Sequence, residues 1–347
     1  MGSILVAKPC AYTYKWDMCS EVKLNPGTDE AVYLGLALSE ALKYVGSTAP
    51  NPPVGATLAG ADGRVLAVSA HKKAGTPHAE VHAISEALQN HGPEALRGAT
   101  MFVTLEPCNH RGRTPPCTQA IINAGITCVA ISVRDPNPRA GGGLEELERH
   151  GIKIKQGILE NEGRRLIAPF EKWIKTSLPY IVHKQAWRLD HRGQPTMIPL
   201  PGVKTFTDQS ALIKAHELRR QSDAIITGMG TVLADQPLLN VRHIPDHPDK
   251  RRLLAVIGES DRTPASGWLE WKHRQETSLG FEVHLFDELG TALKELGKHG
   301  VLQALIEAGP RLSQKAREEG IWDQRILFFS GPGAPVVEEF AYVHRNH

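Results

Sequence analysis

Apolar and polar positions along the chain alternate in a way that predicts two successive stretches of strands and helices. Leu34, Leu38, Ala41, Leu42 and Val45 recur at helical spacing. That spacing predicts a helix starting near Thr28, an N-cap residue type, with Asp29 and Glu30 in its first turn and Gly46 as its stop. Apolar runs over 54–59 and 64–70 flank Gly60-Ala61-Asp62-Gly63 and predict a hairpin. A helix over 78–90, a strand over 100–105, a helix from Pro116 to Gly125, and strands over 126–133 and 151–157 follow. A second stretch begins near Thr176. It predicts a strand over 178–186, a helix over 208–221, short buried strands over 223–228, 253–258 and 301–309, a polar loop over 243–252, and an apolar strand near 325–331. Strands that alternate with helices imply layered α/β domains. Residues 1–27 lack periodicity, end in Asn25-Pro26-Gly27 and read as an extension, leaving domains at 28–172 and 176–347.

Composition narrows the class. A chain of 347 residues accommodates about two domains. With 41% hydrophobic and 22% charged residues, it is neither a disordered chain nor a disulfide scaffold. A net charge of +2 and an aromatic content of 6% argue against a nucleic-acid partner, which would need a cationic groove and stacking platforms. A small anionic substrate needs only a local cluster of cations. No apolar run reaches the roughly 18 residues of a membrane span. The N-terminus lacks a signal-peptide pattern, and Val6 stands where a myristoylation motif requires Ser or Thr, so a cytoplasmic location is expected. Cys10, Cys19, Cys108, Cys117 and Cys128 are too few and odd in number for a disulfide framework. Cys128, inside an apolar run, is expected to be a core thiol.

The strongest chemical signal is His78-Ala79-Glu80 followed by Pro107-Cys108 and Cys117. A catalytic zinc takes three protein ligands plus a water, and one imidazole with two thiols supplies that count. Each candidate ligand falls near the predicted start of a helix, where the dipole favours thiolate. Glu80, two residues past His78, is placed to take a proton from water and return it to a leaving amine. The order matches the H-x-E…P-C-x-x-C signature of zinc nucleobase deaminases, except that the second cysteine comes nine positions after the first. His82 and His110 are rival ligands. A purely structural zinc site would need a fourth protein ligand, and no third thiol has suitable spacing.

The block TPHAEVHAI…VTLEPCNHRGRTPPC…DPNP, with Ala49-Pro50-Asn51-Pro52-Pro53-Val54-Gly55 upstream, resembles the deaminase half of the bifunctional riboflavin-biosynthesis deaminase–reductase family. The long insert between Cys108 and Cys117 separates this family from cytidine, guanine and tRNA adenosine deaminases. The resemblance implies a cytidine-deaminase-like three-layer α/β/α domain followed by a dihydrofolate-reductase-like α/β domain. It also implies hydrolytic deamination of a phosphoribosylated diaminopyrimidine. His78, Cys108 and Cys117 would bind Zn2+, Glu80 would be catalytic, and Asn51, His71, His110, Arg113, Asp135 and Asn137 would bind substrate. The chemistry of these side chains is compatible with that role, since amide and carboxylate groups pair with pyrimidine edges and a guanidinium matches phosphate. Asp135-Pro136-Asn137-Pro138 reads equally as a plain turn.

The C-terminal half resembles the family's NADPH-dependent reductase, which would reduce the ribosyl group to ribityl. Thr227 to Asp235 looks like the family's glycine turn and substrate aspartate, with Leu238, Arg242, Arg219 and the Glu307-Ala308-Gly309-Pro310 segment in step. The implied substrate and cofactor residues are Lys184, Thr207, Arg219, Gly228, Gly230, Thr231, Asp235, Leu238, Arg242 and Glu307. Arg188, His191 and Gln236 depart from the family pattern. They leave two expectations: a working reductase, or a deaminase whose second domain is vestigial or retargeted. The family's assemblies imply a homo-oligomer.

Overall fold

The computed structural model describes residues 29–110, 115–189, 195–198, 209–258, 267–330 and 336–340. The first sheet has five strands in the order β2-β1-β3-β4-β5. They are β1 (Gly55–Ala59), β2 (Val65–Ala70), β3 (Thr100–Leu105), β4 (Cys128–Val133) and β5 (Lys153–Lys155). The predicted hairpin is the antiparallel β1–β2 pair, with Gly55 opposite Ala70. β1 and β3 are antiparallel, whereas β3, β4 and β5 run parallel.

Helices cover both faces. α2 (Ala79–His91), α3 (Cys117–Asn123) and α4 (Gly143–Arg149) pack Ala83, Ile84, Ile121, Leu144 and Leu147 against Leu58, Met101, Val103, Val129 and Ile131. On the other face, α1 (Glu30–Leu42) buries Tyr33, Leu34 and Ala37 against Phe102 and Ala130. Tyr33 stacks on Phe102 with 4.6 Å between ring centroids. Gly55 permits this contact, since a Cβ there would lie 1.9 Å from the Ala37 carbonyl oxygen. α5 (Glu160–Thr176) shares that face through Leu166 and Ile167. The result is the three-layer α/β/α arrangement.

The second sheet has eight strands. They are β6 (Tyr180–Leu189), β7 (Pro195–Ile198), β8 (Ala224–Gly228), β9 (Arg252–Ile257), β10 (Phe281–Phe286), β11 (Gln303–Glu307), β12 (Gln324–Ser330) and β13 (Val336–Phe340). The order is β10-β9-β8-β11-β6-β12-β13, with β7 paired to β6. Only the β6–β7 and β12–β13 pairs are antiparallel. The connecting helices are α6 (Gln209–Gln221), α7 (Met229–Asp235), α8 (Trp268–Ser278), α9 (Leu289–Lys298) and α10 (Pro310–Glu318).

Several boundaries shift from the sequence pattern. Thr28 lies outside the described residues, and Asp29 occupies the N-cap of α1 without a side-chain cap bond. His78 and Pro116 are N-caps of α2 and α3, not first helical residues. The pattern gave no sign of α4, α5 or β10, nor of α8, α9 and α10. In α5 an internal proline, Pro169, interrupts a helical reading, because proline donates no hydrogen bond. Tertiary packing overrides it: α5 lies on the first sheet, then ties to the second through Trp173 Nε1 donating to Gly297 O at 2.9 Å and the Lys172–Asp323 ion pair at 2.6 Å.

Candidate zinc centre and reductase cleft

Three chain segments meet at one end of the first sheet. His78 caps α2, Cys108 follows β3, and Cys117 opens α3. His78 Nδ1 lies 3.2 Å from Cys117 Sγ and 3.6 Å from Cys108 Sγ. All three ligand atoms lie within 4.8 Å of one another, and no other such group occurs among the described residues. A tetrahedral zinc site with bonds of about 2.0–2.3 Å has N···S edges of about 3.6 Å, so the donor set and its spacing fit zinc. His82 is not part of the group. Its main-chain N–H continues the helix to His78 O, and its Nε2 is buried without a partner. His110 is exposed.

The two thiols are coupled: Cys117 donates to Cys108, which with His78 pulls the Cys108 thiol far below its ordinary value, while the bond to Cys108 and then burial push Cys117 up. Glu80 lies in the first turn of α2, 3% exposed, and burial raises its carboxyl. It sits against Cys117 and His78 without joining the ligand group.

His71 reaches this centre from the end of β2. Its ring lies edge-on to His78, 5.3 Å between centroids. His71 Nδ1 is 3.1 Å from Pro77 O, which can only accept, so Nδ1 carries the proton. Nε2 is then free to accept from Asn51 Nδ2 at 3.3 Å. Burial lowers the His71 pKa and keeps the ring neutral. The resemblance groups His71 with the substrate-binding residues; in the structure its ring contacts Asn51 and Pro77 O.

Asp135 and Asn137 are half-buried, and each spends one oxygen on turn bonds. Asp135 Oδ1 accepts from Asn137 N at 2.8 Å, and Asn137 Oδ1 from Arg139 N at 3.1 Å. The turn reading therefore holds, with Asp135 Oδ2 and Asn137 Nδ2 outside those turn bonds. Arg113 lies outside the described residues.

Glu106 escaped the motif reading. It is 4% exposed and accepts from Gly143 N at 2.9 Å, Leu144 N at 3.4 Å and Asp135 N at 3.3 Å. One carboxylate thus ties the strand before Cys108 to the Asp135 loop and the start of α4. A carboxylate ending an apolar strand just before Pro107-Cys108 was the available signal.

A second cluster lies on β6, α6 and β11. Lys184 pairs with Glu307 in the strand register, and its Nζ donates to Oε1 at 2.8 Å. Arg219 donates to both Glu307 oxygens at 2.8 and 2.7 Å and to Asn240 O at 3.0 Å. Burial alone would raise Glu307, but Arg219 and Lys184 outweigh it and hold the carboxyl well below the ordinary range. Arg242 is exposed beside this cluster, with its backbone N–H bonded to His216 Nδ1 at 3.2 Å. Thr231 Oγ1 accepts from Gly309 N at 3.0 Å, which brings the two glycine segments together. Gly228 caps α7, and a Cβ on Gly230 would stand in open space. Asp235 and Leu238 are exposed on the α7 side. Thr207 and His191 lie outside the described residues.

Comparison with known proteins accounts for both clusters. Residues 28–133 match the cytidine and deoxycytidylate deaminase zinc-binding region, and residues 201–333 match the RibD C-terminal domain. The riboflavin biosynthesis protein RibD of Aquifex aeolicus is 36% identical over 315 residues, 86% of each chain. Its namesake in Escherichia coli is 34% identical over 326 residues, again 86% of each. The structure of the Thermotoga maritima diaminohydroxyphosphoribosylaminopyrimidine deaminase/5-amino-6-(5-phosphoribosylamino)uracil reductase superposes with a TM-score of 0.72 at 31% identity, covering 86% of each chain. Acinetobacter baumannii RibD gives 0.72 at 32% identity, covering 91% of this chain and 92% of that one. Zinc-centre geometry, the two-sheet architecture and these likenesses together place the chain in the bifunctional deaminase–reductase family of riboflavin biosynthesis.

Proposed function

We propose that this chain deaminates a phosphoribosylated diaminopyrimidine at the His78–Cys108–Cys117 centre and then reduces the ribosyl group of the product to ribityl in the Lys184–Arg219–Glu307 cleft. The convergence of His78, Cys108 and Cys117 within 4.8 Å, beside a buried Glu80, carries the reading. Zinc, when bound by these three residues, supplies the Lewis acid that makes water reactive at neutral pH. Glu80, raised by burial, accepts a proton and delivers it to the departing amine as ammonia leaves. Asn51, its amide fixed by His71, offers its carbonyl oxygen to a ring amine. Asp135 Oδ2 takes a second edge of the pyrimidine, and His110 and Arg113 take the ribosyl phosphate side.

In the second cleft, NADPH supplies the hydride when bound. Glu307 holds Lys184 and Arg219 in place, and Arg242 presents an exposed guanidinium to an anionic substrate. Gly228, Gly230 and Thr231 line the cofactor side. The match over 201–333 and the Lys184–Arg219–Glu307 cluster favour this reading over a deaminase with a vestigial second domain. Two separate sheets support the division at 28–172 and 176–347, with α5 as the bridge. No helix among the described residues is long and apolar enough to cross a membrane. The family reading supports a homo-oligomer acting in the cytoplasm.

One incubation tests the function. Zinc-loaded protein, the diaminopyrimidine ribosyl phosphate and NADPH are mixed, and products are read by mass spectrometry. A deaminated, reduced product is expected. Deamination alone would refute the reductase assignment, and no change would refute both.

A further inference from the structure

The segment that delivers Asn51 to the zinc centre is gripped by the second domain. After α1 the chain runs through Lys43, Val45 and Gly46 to Asn51. Arg220 Nη2, at the end of α6, donates to Lys43 O at 2.6 Å. His247 Nε2 lies 2.8 Å from Val45 O, and a carbonyl only accepts, so Nε2 donates. Gly46 has φ +86°, and a Cβ there would lie 2.5 Å from Arg220 O, so the two backbones touch. Further along, Pro50 abuts Gly300, whose added Cβ would meet Pro50 Cβ at 3.1 Å.

The gripping residues are themselves fixed. His247 is 8% exposed, and its N–H is bonded to Asp246 Oδ1 at 2.8 Å. Asp246 is held by both terminal nitrogens of Arg252 at 2.7 Å, and Arg252, 5% exposed, also donates to Arg219 O at 3.0 Å and Arg220 O at 3.2 Å. On the zinc side, Ser47 Oγ bonds Tyr44 O and Lys72 O, both at 2.7 Å, so the gripped segment is also tied to the residue after His71. The His247 contact is part-buried and the Arg220 contact lies at the exposed edge, and together they hold the segment before Asn51, at Val45 and Lys43, from the second domain.

We propose that His247 and Arg220 are positioning residues for deamination: from the reductase domain, they set the segment that aims Asn51 at the pyrimidine. The inference rests on the deaminase reading of the zinc centre. It makes the second domain part of the first site's substrate recognition, independently of its own reduction. Binding and not proton transfer is what these residues set, because neither touches Glu80 or the ligand group.

The test uses full-length, zinc-loaded enzyme without NADPH and measures deamination kinetics. His247→Leu removes the donor to Val45 O, whereas His247→Gln keeps a side-chain N–H near the Nε2 position. Arg220→Ala tests the second grip separately. His247→Leu is expected to raise KM about tenfold, the change produced by leaving a part-buried acceptor unpaired, and Arg220→Ala about two- to threefold because water can replace its exposed bond, each with kcat within about twofold. His247→Gln is expected to stay within about threefold of the wild type, and zinc content should be unchanged in all three. Unchanged KM in both His247→Leu and Arg220→Ala overturns the proposal. So does a loss of kcat or zinc that His247→Gln fails to rescue, because that marks a merely structural contact. If the wild-type chain does not deaminate, or Glu80→Gln leaves turnover intact, the zinc-centre reading fails and not the grip.

Discussion

Removing the Glu106 carboxylate should loosen the zinc centre from behind, by an amount the hydrogen bonds allow us to work out. Glu106→Ala strips the acceptor from Gly143 N at 2.9 Å, Asp135 N at 3.3 Å and Leu144 N at 3.4 Å. A buried donor left unpaired costs about 1–3 kcal/mol. The contact at 2.9 Å merits the middle of that range and the two longer ones the bottom, for a gross loss of about 4 kcal/mol. Deleting a buried carboxylate also relieves its desolvation, so we take about 3 kcal/mol as the net. Glu106→Gln keeps an oxygen for Gly143 and Leu144 and sacrifices only the Asp135 contact, costing about 1 kcal/mol. Zinc release to a chromogenic chelator along a urea titration reports the first sheet, whereas tryptophan fluorescence reports mainly the second, which holds Trp187, Trp268 and Trp271. With slopes of about 1–3 kcal/mol per molar urea, the alanine variant should release zinc about 1–3 M earlier and the glutamine variant about 0.3–1 M earlier. Equal midpoints for the two variants, or no shift in the alanine variant, would show that the carboxylate does not organise these loops.

Three further outcomes are expected. Glu80→Gln should slow deamination by about 10²–10⁴-fold while zinc stays bound, as metal analysis would show; turnover near the wild-type rate would sink the proton-transfer role. Gly46→Ala should cost at least about 1–2 kcal/mol from its left-handed φ alone and push the sheets apart, because its Cβ would meet Arg220 O at 2.5 Å. Under urea, its zinc-release and fluorescence transitions should separate more widely than in the wild type. Acid should destabilise the second sheet in two stages. Burial, then nearby arginines, lowers the folded pKa of His183 and of His216 from 6.5 to about 4. The unfolded chain therefore takes up protons first, and stability present above pH 6.5 is lost as pH falls towards 4. The Glu307 contribution is full above the ordinary carboxylate pKa of about 4.3 and is lost below it. Glu307→Gln should abolish the second stage in fluorescence-monitored unfolding and leave the first; an unchanged acid limb would contradict the Lys184–Arg219–Glu307 network.

The zinc centre was legible because its residues sit where sequence signals are strongest. His78 and Cys117 stand at helix starts, whereas Cys108, expected near one too, lies in the loop three residues after the apolar strand β3, so each carries a boundary mark as well as a ligand type. The first sheet was legible because β1 to β4 are largely apolar runs and β5 is a Lys153-Ile154-Lys155 alternation set between Gly151 and Gly157. Other features were hidden for physical reasons. His71 is ambiguous by residue type; only its distances to Pro77 O and Asn51 fix its tautomer. Glu106 looked like any polar residue after a strand, since its partners are backbone groups about 30 to 38 positions away. α5 was concealed by Pro169 and α9 by the polar residues of its outer face, although Leu289, Leu293 and Leu296 are buried. His183, at 0% exposure inside β6, shows the converse: a polar type in a strand whose neighbours β11 and β12 bury it.

The departures from the family pattern in the second domain are better judged by where they sit than by their number. Gln236 replaces the usual aspartate at the C-cap of α7 and adopts φ +43°, a conformation a longer side chain takes at some cost. Its amide nitrogen would lie only 2.6 Å from a Cβ on Gly267, so the absence of a side chain there makes room for the glutamine. The segment after it is fastened from α8: Trp271 Nε1 and Gln275 Nε2 both donate to Pro237 O at 2.9 Å, and Arg274 to Gln236 O at 3.3 Å. From α6, Arg219 holds Asn240 O and His216 holds Arg242 N. The substitution is thus absorbed at the α7–α8 junction, while the stretch that presents Leu238 and Arg242 is anchored from both sides. Lys184, Arg219 and Glu307 keep their ion pairs regardless of what stands at 236. Breaking a buried pair is strongly destabilising, so the Lys184–Arg219–Glu307 cluster fixes the floor of the cleft whatever happens at the α7–α8 junction, and with Gly267 accommodating Gln236 the substitution leaves that cluster intact.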